Sequence, residues 1–243
     1  MGAVIHMMPA VPWHTPFAQR LAAGFNRRGV NWVATSNPVR LNQDIPILLG
    51  TTFWGNIEHD GGNFILVDRC QYGDTEEWVS LARNGRGYRA EWPLRTDPSR
   101  WERYKLPLLP WKTGERVVLC GQVGTYTPDW HDERNWYESV KDRCTHFRPH
   151  PNGDNPTGLA ELADWKEVKC AVVLNSSIAI STIFCGIPTI VMDRGSMAWP
   201  ITGHDFDTIL TPEREQWAHW LAWCQWHHEE IAEGIPWDYI PLE

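Results

Sequence analysis

The sequence lacks most of the marks that assign chemistry at sight. Its six cysteines (Cys70, Cys120, Cys144, Cys170, Cys185 and Cys224) form no C-x-x-C pair. That removes the usual zinc and dithiol frameworks. Four of them lie in or beside apolar patterns and read as buried free thiols of a reducing compartment. There is no surplus of positive charge. The formal net charge is −8, which excludes a wholly basic, nonspecific nucleic-acid binder but not a local basic groove. No G-x-S-x-G elbow is present, and Ser80 and Ser176 have no recognisable base partner, so a hydrolase triad is unsupported. No apolar run reads as a membrane span. Residues 170–192 come closest, but Asn175, Ser176, Ser177, Gly186 and Pro188 split them into strand and helix. No charged-then-apolar leader opens the chain, and there is no internal repeat; the expected location is the cytoplasm.

What is present is ordinary in bulk and unusual in detail. The 243 residues are 42% apolar and 21% charged, enough for one large domain or two small ones. Sixteen are tryptophan. Trp13, Trp101, Trp111, Trp130 and Trp136 stand where a core is not expected; they read either as the lining of an acceptor groove or as plugs holding loops onto the core, the second being the commoner use. Residues 83–105 interleave Arg83, Arg86, Arg89, Arg95, Arg100, Arg103 and Lys105 with Tyr88, Trp92, Trp101 and Tyr104. That mixture suits a phosphate backbone with stacking bases, or a loop closing over a donor phosphate.

Along the chain, Ala3–Met8 reads as a strand. Thr15 is placed to cap a helix through Phe17, Leu21, Ala22 and Phe25, closed by Arg27-Arg28-Gly29. Strands follow at Val30–Ala34, Asp44–Gly50 and Phe64–Val67, the last delivering Asp68 and Arg69 at its carboxyl end. Strand, helix, strand implies a parallel sheet. A boundary is expected near Lys112-Thr113-Gly114. A second alternating series then begins: a strand at Arg116–Cys120, a helix over Trp136–Cys144, a short helix over Leu159–Lys166, a strand ending at Leu174, a helix over Ile178–Cys185 and a strand at Thr189–Asp193. Glu213–Glu233 reads as one long, Trp-rich helix. The expected fold class is therefore α/β, with two Rossmann-like domains, residues 1–113 and 114–243, facing a cleft.

Ligands of such folds bind at the carboxyl ends of strands. Two polar turns fall there: Arg148-Pro149-His150-Pro151, and Asn175-Ser176-Ser177 opening a helix. Ser176 or Ser177 can cap that helix, and free N–H groups at its start attract phosphate. Gly121-Gln122-Val123-Gly124 follows a strand and permits close backbone approach, although a tight turn alone explains it. It does not complete G-x-G-x-x-G and lacks the Lys-Ser/Thr of a P-loop, which argues against dinucleotide oxidoreductases and NTPases. His146 with His150, and His227-His228-Glu229, have metal-like spacing without a converging third ligand. Asp205-Phe206-Asp207 resembles a metal-holding D-x-D but has no strand directly before it. No metal is expected.

The pair of turns, R-P-H-P and then N-S-S before G-I-P-T-I-V-M-D, resembles the glycosyltransferases of GT-B type, in particular the bacterial sialyltransferases and capsule Kdo transferases. His150-Pro151 and Ser176-Ser177 match the two motifs with which those enzymes hold the donor phosphate. F-I-L-V-D-R-C-Q-Y-G-D followed by V-S-L-A-R-N-G is similar to their acidic block, and more similar to small phage-encoded proteins of glycosyltransferase type. Asp68-Arg69 and His59-Asp60-Gly61 compete for the acidic motif. The resemblance implies an inverting, metal-independent transfer with a nucleotide-sugar as co-substrate and no other cofactor. In it Asp68 is the base, with Asp60 and Asp74 as alternates and Arg69 beside it. Gly121, Gln122, Arg148, His150, Pro151, Asn175, Ser176 and Ser177 bind the donor. The phage likeness implies a hydroxymethylated pyrimidine in DNA as acceptor, met by Arg83, Asn84, Arg86 and Arg89 in the cytoplasm of a bacterial host. A surface polysaccharide or lipid-linked glycan is the rival acceptor. A sugar-nucleotide epimerase or hydrolase, or a nucleotide-binding module without activity, are the rival functions. The ordinary reading of Asp68 is an ion pair that orders its loop.

Overall fold

The computed structural model describes residues 2–37, 44–51, 63–74, 76–104, 106–122, 136–150 and 162–242. In chain order its strands are β1 (Ala3–His6), β2 (Trp32–Thr35), β3 (Ile45–Leu49), β4 (Ile65–Arg69), β5 (Trp78–Arg83), β6 (Arg116–Cys120), β7 (His146–Arg148), β8 (Val168–Val173), β9 (Thr189–Val191) and β10 (Gln225–His227). The helices that matter below are α1 (His14–Arg27), α2 (Trp101–Tyr104), α3 (Ile178–Phe184), α4 (Glu215–Trp223) and α5 (His228–Glu233). The chain is mixed α/β with two sheets rich in parallel pairs. It divides into two compact units: Met1–Arg100 with Ala218–Glu243, and Trp101–Trp217.

The first unit holds a sheet of order β10-β5-β4-β3-β1-β2. β2, β1, β3 and β4 run parallel, and β5 and β10 add an antiparallel margin. All five residues of β3 are buried, as the near-continuous apolar run Ile45–Leu49 requires of a strand covered on both faces. Pro46 is tolerated there because pairing with β4 begins only at Ile47. One face of the sheet, with Ala3, Ile5, Ile47, Leu49, Ile65 and Val67, packs with Phe17, Leu21 and Phe25 of α1 and with Trp223, Trp226 and Ile231. The opposite face carries Leu48, Leu66 and Ala82 under Met8 and Trp92.

The apolar stripe of α1 is where its spacing placed it, but Thr15 is not the cap. Trp13 takes that position without a side-chain bond, and Thr15 lies one residue inside the helix. Its end is as expected: Arg27 is in the last turn, and Gly29 has a φ of +66°.

Residues 213–233 are not one helix. α4 stops at Trp223, and Gln225–His227 pairs antiparallel with β5, which returns residues 218–243 to the first unit. The physical reason is a pair of buried polar residues. The Gln225 side chain, fully buried, behaves like a spare peptide group. Its Oε1 accepts N–H bonds from Gln71 and Tyr72, and its Nε2 donates to Tyr72 O at 3.3 Å. Arg100, 5% exposed, donates to the carbonyls of Ala222 (3.1 Å) and Gln225 (2.5 Å) and forks onto Glu230 at 2.7 and 2.9 Å. These bonds satisfy the carbonyls that a broken helix exposes.

The second unit holds a four-stranded, all-parallel sheet of order β7-β6-β8-β9. Leu119, Cys170, Val172 and Ile190 pack against Trp136 and Val140 on one face. Residues 136–140 are helical and Lys141–Arg143 continues as a 3-10 turn. Gly186 ends α3 with a φ of +72°, where a Cβ would lie 2.0 Å from Pro110 O, so no other residue fits that crossing.

Candidate functional site

In sequence order the second sheet runs second strand, first strand, third, fourth. That is a doubly wound order whose topological switch point falls between β6 and β8, at their carboxyl ends. The residues that leave the sheet there are Gly121-Gln122 after β6 and Leu174-Asn175-Ser176 after β8. They are tied to each other: Gln122 Nε2 donates to Asn175 Oδ1 at 2.5 Å. Asn175 Nδ2 donates in turn to Asp193 Oδ1 at 3.2 Å, just beyond β9, and the same oxygen accepts the Gly195 N–H at 2.7 Å. On the other side of β6, the Gly121 N–H donates to Arg148 O at 2.7 Å, carrying the β6–β7 ladder one residue past the strand. A Cβ on Gly121 would lie 2.9 Å from His150 N. Glycine is needed there because the two strand exits approach so closely.

Of the expected donor-binding residues, Gly121, Gln122, Arg148, His150 and Asn175 are therefore gathered on the carboxyl edge of adjacent strands. Arg148 and His150 are half-buried. Pro151 lies outside the described residues. The serines behave differently from expectation. Ser177 occupies the cap of α3 without a side-chain bond and is exposed, while Ser176 Oγ accepts only a long bond from the Ile178 N–H, at 3.4 Å. The next amides, Ala179 and Ile180, are bonded to Ser176 O and Ser177 O. In the first turn of this seven-residue helix the N–H groups of Ile178, Ala179 and Ile180 are thus bonded within the turn itself.

Sequence reasoning missed Asp193, although an acid directly after an apolar strand, T-I-V-M-D, was the available signal. Asp205 Oδ1 caps a turn by accepting the Asp207 N–H at 2.9 Å, and Asp207 is an exposed partner of Arg143 at 3.7 Å. Among the described residues no group of three or more metal-ligating side chains converges.

The first sheet shows the same order, β2-β1-β3-β4, with its switch point between β1 and β3. His14, 2% exposed, stands beside it at the start of α1. Its Nδ1 accepts the Met8 N–H at 2.9 Å, which leaves the proton of the neutral ring on Nε2. A Cβ on Gly50, whose φ is +68°, would lie 3.3 Å from that Nε2. Burial lowers the His14 pKa from its ordinary 6.5. His6, wholly buried at the end of β1, donates from Nδ1 to Asn37 O at 3.0 Å; burial lowers its pKa and that bond partly restores it.

Asp68 lies at the carboxyl end of β4, one residue before its last, Arg69. Its Oδ2 meets Arg86 Nε at 3.2 Å and its Oδ1 accepts the Arg69 N–H at 2.8 Å. The ion pair is thus with Arg86, which follows β5, and not with the neighbouring Arg69. Asp74 is exposed and caps the turn into β5: its Oδ1 accepts the Glu76 N–H at 2.8 Å. Asp60 lies outside the described residues.

The Arg/aromatic stretch is largely committed to its own units. Arg83 donates to Asn63 Oδ1 and Pro241 O, both at 2.9 Å. Asn84, with a φ of +55°, accepts the Phe64 N–H and donates to Glu91, both at 3.0 Å. Arg95 lies 4.4 Å over Trp223. Trp92 donates to Gly87 O at 2.8 Å, Trp101 packs edge-on to Phe184, and Tyr88 edge-on to Trp220. Arg86 and Arg89 are exposed. The other marked tryptophans are also plugs: Trp13 packs on His14 and Phe17, Trp111 donates to Pro212 O, and Trp136 is in the core. Trp130 and Lys105 lie outside the described residues.

All six cysteines are free. Burial raises the thiol of Cys70 to about 12 and those of Cys144 and Cys170 to about 11, which makes them poor nucleophiles. Among the described residues no helix is long and apolar enough to cross a membrane. No protein-family model matches the sequence, and no curated protein is significantly similar to it.

Proposed function

We propose that the protein is a nucleotide-sugar-dependent glycosyltransferase of GT-B type. The observation that supports this best is the row of polar groups along the carboxyl edge of the second sheet. Gly121-Gln122 and Asn175 flank its switch point and are hydrogen-bonded to each other, and Arg148 and His150 leave the neighbouring strand. Open parallel sheets take nucleotides at such a point.

In the proposed reaction the acceptor hydroxyl oxygen attacks the anomeric carbon of the donor sugar as the bond to the leaving phosphate oxygen breaks. The configuration inverts. The negative charge left on the phosphate is met by Arg148 and His150. Asp68 takes the hydroxyl proton, and for this it must give up part of its contact with Arg86.

For the acceptor, the internal commitments of Arg83, Asn84 and the aromatic residues around them favour a surface polysaccharide or lipid-linked glycan over duplex DNA. Of the four expected DNA contacts Arg83 is half-buried, Asn84 is exposed but bonded to Phe64 and Glu91, and of the exposed Arg86 and Arg89 the first is the partner of Asp68.

The test is mass spectrometry of a panel of nucleotide sugars, each incubated with a glycan acceptor, with hydroxymethylated DNA, or alone. Transfer to an acceptor is expected. Asp68→Asn should lower it by about 100-fold or more while leaving nucleotide-sugar affinity nearly unchanged. Turnover of the donor with no acceptor present points instead to an epimerase or hydrolase.

A further inference from the structure

The hydrogen bonds at the second switch point have a direction, and a backbone group fixes it. The Gly195 N–H donates to Asp193 Oδ1 at 2.7 Å. A main-chain N–H can only donate, so that oxygen is an acceptor whatever surrounds it. Asn175 faces the same oxygen at 3.2 Å and must offer it the NH2 end of its amide. Its Oδ1 is thereby turned towards Gln122, which must offer its own NH2 end, at 2.5 Å. The relay sets both amide orientations without reference to any ligand. It leaves Gln122 Oε1 at the far end, shielded from solvent and without a hydrogen-bond partner in the described protein. A buried amide oxygen is costly to leave in that state, and a polar network with one open acceptor is a network awaiting a donor.

We infer that Gln122 Oε1 accepts a hydrogen bond from a hydroxyl of the bound ligand, so the group lodged between β6 and β8 is a ribose or sugar hydroxyl and not a phosphate oxygen. A phosphate oxygen has no proton to give and would face another acceptor there. The cations suited to phosphate, Arg148 and His150, stand one strand away on the exit of β7. Asp193 and Asn175 are then positioning residues: they touch Gln122 or each other and hold its orientation. The inference rests on the nucleotide-sugar reading and adds to it which part of the nucleotide-sugar meets which strand exit.

The test is calorimetric titration of the whole chain with UDP, CDP, GDP and ADP and with their glucose conjugates, each protein variant first shown by its melting curve to be folded. At least one ligand is expected to bind. Gln122→Met, close in volume but without the acceptor, should weaken it by about tenfold or more, and Asn175→Leu, which releases Gln122, should do the same. A loss already present with the bare diphosphate assigns the ribose hydroxyl, and a loss seen only with the glucose conjugate assigns the sugar. A ligand that binds Gln122→Met and the unaltered chain equally well overturns this inference and leaves the nucleotide reading standing. Binding of none of the eight overturns both.

Discussion

The two sheets share a strand order and differ in what they do with its carboxyl edge. In both, the first four strands run second, first, third, fourth, all parallel, so both have a switch point. In the first unit the polar groups near that edge are bonded to one another or to nearby backbone. His14 accepts from Met8, Asp68 holds Arg86, and Asp74 caps a turn. In the second unit Gln122, Asn175 and Asp193 form a chain whose last acceptor has no partner among the described residues. Order alone makes a ligand site available; an unspent hydrogen-bonding group gives it something to recognise. On that measure the second edge is prepared for a ligand. In the proposed reaction the first must break a contact, Asp68 with Arg86, before its carboxylate can take a proton.

The largest effect that sharpens this comparison lies in the first unit's framework. Arg100→Ala strands Glu230 in a buried setting and frees the carbonyls of Ala222 and Gln225. It should cost about 3–5 kcal/mol in urea unfolding. If residues 218–243 belong to the first unit as described, that unit alone should lose stability, with the second unit's transition unmoved. A loss shared equally by both transitions would break the comparison.

A smaller effect concerns His14. Its pKa is lowered in the folded chain, so the unfolded chain binds more protons in acid. Stability is full above pH 6.5 and falls as pH drops below it through the lowered value. His14→Gln keeps an acceptor for the Met8 N–H and removes the titrating ring. Chemical unfolding at pH 7 and pH 5 should show a smaller acid loss for this variant than for the unaltered chain. Equal losses would mean that His14 is not held neutral by burial.

Local pattern carried the reading of this fold where contacts are local. The stripe of Phe17, Leu21 and Phe25 gave α1, and the apolar runs at residues 45–49 and 170–174 gave two central strands, because burial on both faces leaves a continuous apolar run. It failed where a distant residue decides. Nothing within residues 213–233 announces that Gln225 will serve the backbone of Gln71 and Tyr72, or that Arg100 will occupy the break after α4. The tryptophans on either side fit a helical period equally well, so spacing alone extends the helix through a strand. At the candidate site the same division holds. Gly121, Gln122, Arg148, His150 and Asn175 were legible as residues that leave strands. Their adjacency depends on strand order, which no local spacing encodes. Asp193 escapes a reading by spacing because its part is played through Asn175, and a cap motif is visible in sequence whether or not the hydroxyl is used.

The most direct test of the central claim is a nitrogen-15 chemical-shift titration of the full chain with nucleotide sugars. The account predicts saturable shifts at the backbone amides of Gly121, Gln122, Arg148, His150 and Asn175 and at the side-chain amide of Gln122, with the first unit's His14 and Gly50 unmoved by the nucleotide alone. Saturable shifts confined to the carboxyl edge of the first sheet, or none at any of these positions, would contradict it.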